Sequence, residues 1–207
     1  TGVTPRIPDV KGIDHPKVVT YLDVLRDHVS VGSTVAVMGA GGIGFDVAEY
    51  LTQSGPSATV TPDRFYAEWG IDTSYSNRGG LTQVHLERPP RKITLLQRKH
   101  SKVGGGLGKT TGWIHRTELK KRGVDMVPGV TYESIDDAGL HMTIDDQPVV
   151  LDVETIVVCT GQEPQRELLA DLEAAPATVH VIGGADVAAE LDAKRAIKQG
   201  TEVAAAL

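Results

Sequence analysis

The sequence predicts an α/β fold built on a parallel sheet, and three groups of segments carry that prediction. An apolar run at 34–38 leads into a glycine-rich turn and then a helix-like stretch. A second strand-like run follows at 93–97, and a third at 155–158 is fully apolar, as expected of a buried parallel strand. Alternating segments between them predict a small antiparallel meander at 130–135, 140–144 and 149–151. Together these features indicate a Rossmann-like domain that carries an added meander.

Composition limits the possible classes of function. The 207 residues contain 21 Lys and Arg against 27 Asp and Glu, a net charge of −6, and the cations form no basic block. This balance disfavours a nucleic-acid partner or an anionic membrane surface. With no apolar stretch of membrane-spanning length and no leader-like start, we expect a cytoplasmic protein. Cys159 is the single cysteine, so the chain can form no internal disulfide and cannot hold an iron–sulfur cluster by itself.

The chain opens on a segment that looks like the end of an element. Residues 1–8 follow no strand and contain Pro5 and Pro8, so we expect the body of that element to lie upstream. Apolar residues at helical spacing then predict a connector helix over 18–28.

The glycine turn Gly39-Ala40-Gly41-Gly42-Ile43-Gly44 predicts dinucleotide binding. The first glycine permits the tight turn, the second lets a pyrophosphate approach the backbone, and the last allows the helix to pack closely on its strand. Backbone N–H groups and the positive end of the helix dipole then face the phosphates. A purely structural turn is the alternative reading of the same glycines.

Residues 52–91 form an insertion that is long enough to need packing of its own. Turn signals divide it, and between them lie the aromatic residues Phe65, Tyr66, Trp69 and Tyr75. The insertion either covers a cofactor, docks on another domain, or forms a satellite cluster packed on the edge of the sheet.

The end of the strand at 93–97 indicates which dinucleotide binds. An NAD site places Asp or Glu here for the ribose 2′-hydroxyl, but this strand ends in Gln97 and is followed by Arg98, Lys99 and Lys102. Cations without an acid suit a 2′-phosphate, which favours NADP over NAD. A solvated basic loop is the alternative. The glycine-rich loop at 103–111 resembles a P-loop only superficially, because Val103 stands where the first glycine is required.

Two later segments complete the candidate site. Cys159, Thr160 and Gly161 follow the apolar strand at 155–158, where ligands bind in parallel sheets. A short strand is predicted at 179–182 and a helix at 187–196, with Gly184, Ala185 and Asp186 close to the helix start. Such a segment suits a ribose or ribityl chain beside a pyrophosphate, and a plain N-cap at Asp186 is the alternative.

Three stretches resemble the C-terminal half of bacterial NADPH-dependent 2,4-dienoyl-CoA reductases, old-yellow-enzyme relatives that carry an iron–sulfur cluster. They are VAVMGAGGIGFDVAEYL, LLQRKHSKVGGGLGKTTGWIHR and HVIGGADVAAELDAKRAIKQG. The resemblance implies a glutathione-reductase type of architecture, in which an NADP domain is inserted into an FAD domain. It divides the chain into an FAD-domain exit and connector (1–27), an NADP-binding domain (28–163) and an FAD-domain segment (164–207).

The same resemblance implies roles for particular residues. Thr1-Gly2 and Thr160-Gly161 would be the two crossings between the FAD and NADP domains. Gly184, Ala185 and Asp186 would belong to the FAD site, with Asp186 near the ribityl or pyrophosphate region. Arg98 and Lys102 would hold the 2′-phosphate.

In this family, hydride passes from NADPH to FAD, and electrons then reach a dienoyl-CoA through an iron–sulfur centre and FMN. The barrel that holds FMN, the cluster cysteines and the first FAD unit have no counterpart in these 207 residues, so we expect them as partners elsewhere and expect weak FAD binding here. Two alternatives stay open. One is a structural ADP-binding module, as in trimethylamine and histamine dehydrogenases, and the other is the NAD(P)H domain of a different barrel-fused reductase.

Overall fold

The computed structural model describes residues 2–173, 176–189 and 193–207, and a five-stranded parallel sheet organises them. Strands β1 (Val3–Pro5), β2 (Val18–Thr20), β3 (Thr34–Met38), β4 (Lys92–Leu96) and β5 (Asp125–Val127) come first along the chain. They are followed by β6 (Val130–Asp136), β7 (Gly139–Ile144), β8 (Gln147–Leu151), β9 (Thr155–Val158) and β10 (Gln162–Pro164). The parallel sheet has the order β2-β9-β3-β4-β5, so the strand before the glycine turn is central.

The described residues form the helices α1 (Tyr21–Leu25), α2 (Gly42–Thr52), α3 (Pro62–Trp69), α4 (Gly112–Lys121), α5 (Glu167–Glu173) and α6 (Ala193–Ala206). Helices α1, α2 and α4 pack on one face of the sheet, and the meander packs on the other. Val35 and Val37 of β3 face a core shared with α1, α2 and α4. Ala36 and Met38 face the opposite core, which the antiparallel meander β6-β7-β8 completes. The period-two alternation of one buried strand thus supplies both cores, and the α/β prediction with its meander is confirmed.

The connector predicted as one helix over 18–28 is wrong in its first part. Val18–Thr20 is the edge strand β2, with Val18 paired in parallel to Ile156 of β9. A capping box then starts α1: the Thr20 N–H donates to Asp23 Oδ2 at 2.6 Å, and the Asp23 N–H donates to Thr20 Oγ1 at 3.3 Å. Strand β2 belongs to the sheet, so the sheet begins before the expected domain boundary between residues 27 and 28. That boundary stays a prediction.

The insertion 52–91 packs against the C-terminal end of helix α4. Arg122, the C-cap of α4, bonds to Glu68 of α3, and Lys121 Nζ lies 3.8 Å from the centroid of the Trp69 ring. Phe65 contacts Tyr66 and Trp69, whereas Tyr75 is 85% exposed and outside that aromatic group. The aromatic residues of the insertion therefore form a satellite cluster, and charged residues attach this cluster to the rest of the domain.

The C-terminal segment differs most from its prediction. No strand forms at 179–182, and residues 187–189 are not helical. A 3-10 turn occupies Gly183–Ala185, and α6 starts at Ala193; positions 190–192 of the predicted helix lie outside the described residues. Arginine side chains bind the carbonyl groups here: Arg166 donates to Ala185 and Asp186, and Arg195 donates to Val187 and Ala189. These contacts satisfy acceptors that a helix or sheet would otherwise satisfy.

Within the described ranges, every helix is too short or too polar to cross a lipid bilayer.

Candidate dinucleotide-binding site

The glycine turn between β3 and α2 has the geometry that its sequence predicts. Gly39 has a φ of 108°, and its N–H donates to the Leu96 carbonyl at 3.0 Å. A Cβ at Gly44 would overlap the carbonyl oxygen of Gly39, which explains the close packing of α2 on β3. A Cβ at Gly41 would meet no atom within 4 Å. The turn therefore has free space beside Gly41, whereas the backbone is tightly packed beside Gly44.

Helix α2 begins at this open side. Gly41 is its N-cap and supplies no side-chain cap hydrogen bond. The N–H groups of a first helical turn have no acceptor within the helix, so those of Gly42, Ile43 and Gly44 can bind an anion.

A cavity of about 610 Å³ opens at the carboxyl ends of β3, β4 and β9, in front of this turn. Its size is within the range of small-molecule sites. Its lining comes from five chain regions that are distant in sequence: Gly39–Ile43; Gln97, Arg98, Lys99 and Ser101 with Gly106 and Leu107; Tyr132; Cys159–Gln162; and Ala188. The carboxyl edge of a parallel sheet is where such folds bind ligands.

Two cations mark the end of the cavity beside β4. Arg98 and Lys99 both line it and are exposed, and neither takes part in an ion pair with the residues that the structure describes. Lys102, predicted together with them, is exposed but lies outside the lining. Two of the three predicted cations are thus brought to the cavity.

Gln97, predicted to stand where an NAD site places its acid, forms hydrogen bonds that shape the loop after β4. Its Nε2 donates to the carbonyls of Lys99 at 2.9 Å and Ser101 at 2.7 Å, while its Oε1 accepts from the Gly104 N–H at 3.3 Å. These bonds hold the loop from Arg98 to Gly104 in a tight curve. The side chain is therefore committed to the protein backbone.

Thr160 and Gly161 lie at the opposite wall, where β9 leads out of the sheet. The Arg6 guanidinium donates to the Thr160 carbonyl, with Nε at 3.0 Å, and Thr160 Oγ1 donates to the Arg6 carbonyl at 3.1 Å. Just beyond, β10 pairs antiparallel with β1. Gly2 and Gly161 have similar positive φ values, 101° and 107°. From Gly2 onward, the two segments expected to be crossings between domains therefore run side by side, and Thr1 of the predicted pair lies outside the described residues.

Gly184, Ala185 and Asp186 do not join this cavity. Gly184 and Ala185 line a separate apolar pocket with α5, and Asp186 lines neither. The Asp186 carboxylate accepts from Gln199 Nε2 at 3.0 Å, and Gln199 Oε1 accepts from the Gly183 N–H at 2.8 Å. The predicted helix start beside Asp186 is absent. Ala188, which the sequence did not single out, is the residue of this segment that reaches the dinucleotide cavity.

Tyr132 is a lining residue that sequence reasoning missed. It belongs to β6 of the meander, and a bulge in the pairing with β7 lies between Tyr132 and Ser134. Its hydroxyl is buried and makes no hydrogen bond with the residues that the structure describes. Burial raises the pKa of this hydroxyl far above its ordinary value, although the nearby Arg98 charge and the nearby Gly39 N–H, which itself donates to the Leu96 carbonyl at 3.0 Å, oppose that rise. An alternating strand gives no sign that one of its side chains will reach another element's cavity.

Cys159 also lines the cavity, at the end of β9. Burial raises the pKa of its thiol to about 12. This value suits a packed, protonated side chain and not a reactive thiolate.

The fold and cavity together define a dinucleotide-binding domain, and comparison with known proteins identifies its family. Residues 1–195 match the pyridine nucleotide-disulphide oxidoreductase family, so the chain belongs to that family, whose members bind FAD and NAD(P)H. It is an oxidoreductase domain.

Individual proteins are also similar to this chain. A metal reductase of Desulforamulus reducens is 26% identical over 183 residues, which is 88% of this chain and 26% of the relative. The structure of a 2-naphthoyl-CoA reductase matches 97% of this chain with a TM-score of 0.69 and 22% identity, over 25% of its own length. That of a 6-hydroxypseudooxynicotine amine oxidase from Pseudomonas geniculata N1 matches 98% with a TM-score of 0.71 and 18% identity, over 27% of its length. The two structural likenesses show the fold alone, and the chain spans about a quarter of each of these proteins.

Proposed function

We propose that this chain binds NADPH and forms the hydride-donating portion of a flavin-dependent reductase similar to 2,4-dienoyl-CoA reductase. The observation that carries the proposal is the cavity itself. It joins an open glycine turn at one end to two cations without carboxylate partners among the described residues at the other. When bound, the reduced nicotinamide would supply the hydride.

The charges at the end of β4 support NADPH over NADH. A 2′-phosphate adds negative charge beside Arg98 and Lys99, and a guanidinium can bind it through two parallel hydrogen bonds. An NAD site needs a carboxylate that accepts from the ribose hydroxyls. Gln97 stands at that position with its amide engaged by the loop. Lys102 would add long-range attraction only, since it lies outside the lining.

The remaining roles concern a longer protein. We assign 1–27 and 164–207 to an FAD domain and 28–163 to the NADP domain, with Thr160 and Gly161 at the crossing and Gly184, Ala185 and Asp186 on the FAD side. The rest of the FAD domain and a barrel carrying FMN and an iron–sulfur cluster would be the partners. The names of the metal reductase and the 2-naphthoyl-CoA reductase agree with reduction as the overall chemistry. A dienoyl-CoA as substrate rests on the three resembling stretches.

Calorimetry with NADPH, NADH and ADP tests the proposal directly. We expect the chain to bind NADPH at least ~10-fold more tightly than NADH, a difference of about 1.4 kcal/mol. Arg98→Ala should remove that preference, Lys99→Ala should weaken it, and Lys102→Ala should change it least. Lys92→Ala is the matched control, because Lys92 is an exposed cation at the opposite end of β4.

Other outcomes separate the alternatives. Equal binding of all three ligands, indifferent to Arg98, would contradict the proposal and favour a structural ADP module. A preference for NADH would favour a different barrel-fused reductase. FAD added to the isolated chain should bind weakly, and a tight stoichiometric flavin would contradict the proposed division of the FAD site.

A further inference from the structure

The Tyr132 hydroxyl is a buried polar group that makes no hydrogen bond with the residues that the structure describes. Tyr132 lines the dinucleotide cavity, and its hydroxyl is close enough to Gly39 and Arg98 for both to influence its ionisation. Buried hydroxyls are nearly always hydrogen-bonded, because a missing bond leaves the cost of desolvation uncompensated. Phenylalanine would fill the same space on β6 without that cost. The hydroxyl therefore needs an explanation other than packing.

The position of Tyr132 suggests what that explanation is. Gly39 begins the turn that would receive the pyrophosphate, and Arg98 is the cation proposed for the 2′-phosphate. The hydroxyl is near both, and each belongs to the part of the cavity expected to receive the adenosine half of a dinucleotide. The available acceptors on that half are phosphate and ribose oxygens.

We infer that Tyr132 is a ligand-binding residue whose hydroxyl donates a hydrogen bond to a phosphate or ribose oxygen in the adenosine diphosphate half of the bound dinucleotide. This inference rests on the proposed function and adds a residue from the meander to a site otherwise built by the Rossmann elements. It also gives the meander a role in binding beyond covering the sheet.

The chemistry of the hydroxyl suits a donor. A tyrosine hydroxyl is protonated at physiological pH, and burial raises its pKa further, so it offers a proton to an anionic or hydroxyl oxygen. A neutral donor near Arg98 adds a hydrogen bond to the ligand without the charge repulsion that a further cation would cause. A donor that finds its acceptor only in the complex favours the bound state over the free one.

Tyr132→Phe separates this role from a structural one. In the free chain the variant should unfold at the same temperature as the wild type or higher, because no internal hydrogen bond is lost. Tyr21→Phe is the matched control: Tyr21 is buried, and its hydroxyl accepts from Gln162 Nε2 at 3.1 Å. That control should lower the unfolding temperature.

Calorimetry with NADPH and ADP then measures the bond itself. Tyr132→Phe should weaken both ligands by ~10-fold, and by the same factor, since both contain the adenosine diphosphate half. Affinities within twofold of the wild type would overturn the inference. So would a loss confined to NADPH, or a free variant destabilised as much as Tyr21→Phe.

The same titrations distinguish this inference from the proposed function. If the wild type prefers NADPH and Arg98→Ala removes that preference while Tyr132→Phe binds normally, the proposed function stands and the inference fails. If the wild-type chain binds neither NADPH nor ADP, both fail.

Discussion

Arginine residues in two regions of this domain differ in their exposure and in their ion pairing. Arg98, at the cavity, is exposed and has no ion-pair partner among the residues the structure describes. Arg122, under the insertion, has a side chain only 5% exposed and donates to Glu118 at 2.6 Å and Glu68 at 2.7 Å. Arg64 also bonds to Glu68, at 2.8 Å, so we call Arg64, Glu68, Glu118 and Arg122 the insertion anchor.

This difference separates structural from ligand-binding cations. A buried guanidinium must be paired, because its desolvation is costly, and once paired it has little capacity left for a ligand. An exposed cation without a partner at a cavity wall keeps its donors for an anion. Variants in the insertion anchor should therefore change stability alone, and variants at the cavity should change binding alone.

The largest expected effect is on the insertion anchor. Glu68→Ala removes the carboxylate shared by Arg64 and Arg122 and leaves Arg122 buried with one partner. We expect the free energy of unfolding to fall by about 3 kcal/mol or more. Urea denaturation measures that change. NADPH affinity at a temperature where the variant is folded should be unchanged.

Glu87→Ala is the control for that experiment. Glu87 also pairs with Arg64, at 3.0 Å, but its side chain is 64% exposed. Exposed pairs contribute little, so the loss should be under ~1 kcal/mol. Equal losses for the two variants would show that burial does not distinguish the two carboxylates.

The glycine turn contains the same contrast between a structural position and a ligand-binding position, with smaller expected changes in stability. Gly44→Ala forces a methyl group against the Gly39 carbonyl and should lower the free energy of unfolding by about 1–3 kcal/mol. Gly41→Ala places its methyl in open space, and its φ of −81° is ordinary for any residue, so stability should change by less than ~1 kcal/mol. Denaturation curves compare the two.

NADPH binding should respond in the opposite order. Relative to its loss of stability, Gly41→Ala should lose more NADPH affinity than Gly44→Ala does. The Gly41→Ala methyl points to where a pyrophosphate would approach, so NADPH affinity should fall by ~10-fold or more in a chain that is otherwise intact. Normal NADPH affinity in Gly41→Ala would contradict a ligand seated on this turn.

Local sequence patterns were sufficient to predict the elements that have a regular side-chain period or belong to a common motif. The apolar run before the glycine turn predicted the central strand, and alternation predicted all three strands of the meander. The absence of an acid at Gln97 and the cations after it predicted two of the residues found at the cavity. These signals depend on side-chain period and residue type, which the sequence states directly.

The predictions failed where a distant residue decides the local structure. Val18–Thr20 is a strand because β9, far along the chain, offers an edge to pair with. Residues 187–189 are not helical, and carbonyl groups within 185–189 are bound instead by the side chains of Arg166 and Arg195. Tyr132 reaches the cavity because the whole meander packs on the sheet. None of these contacts has a local signature.

The smallest expected effect is at Cys159, which lines the same cavity as Arg98 but is buried like Arg122. Burial raises its pKa to about 12, so at pH 8 its thiolate fraction is roughly a thousandfold below that of an exposed cysteine. We expect no detectable alkylation by iodoacetamide over several hours in the folded chain and complete alkylation in guanidinium chloride, measured by mass spectrometry. If alkylation of the folded chain were fast and NADPH prevented it, Cys159 would be accessible from the cavity. It would then belong with Arg98 as a group available to a ligand, and burial alone would not divide this domain into its structural and binding parts.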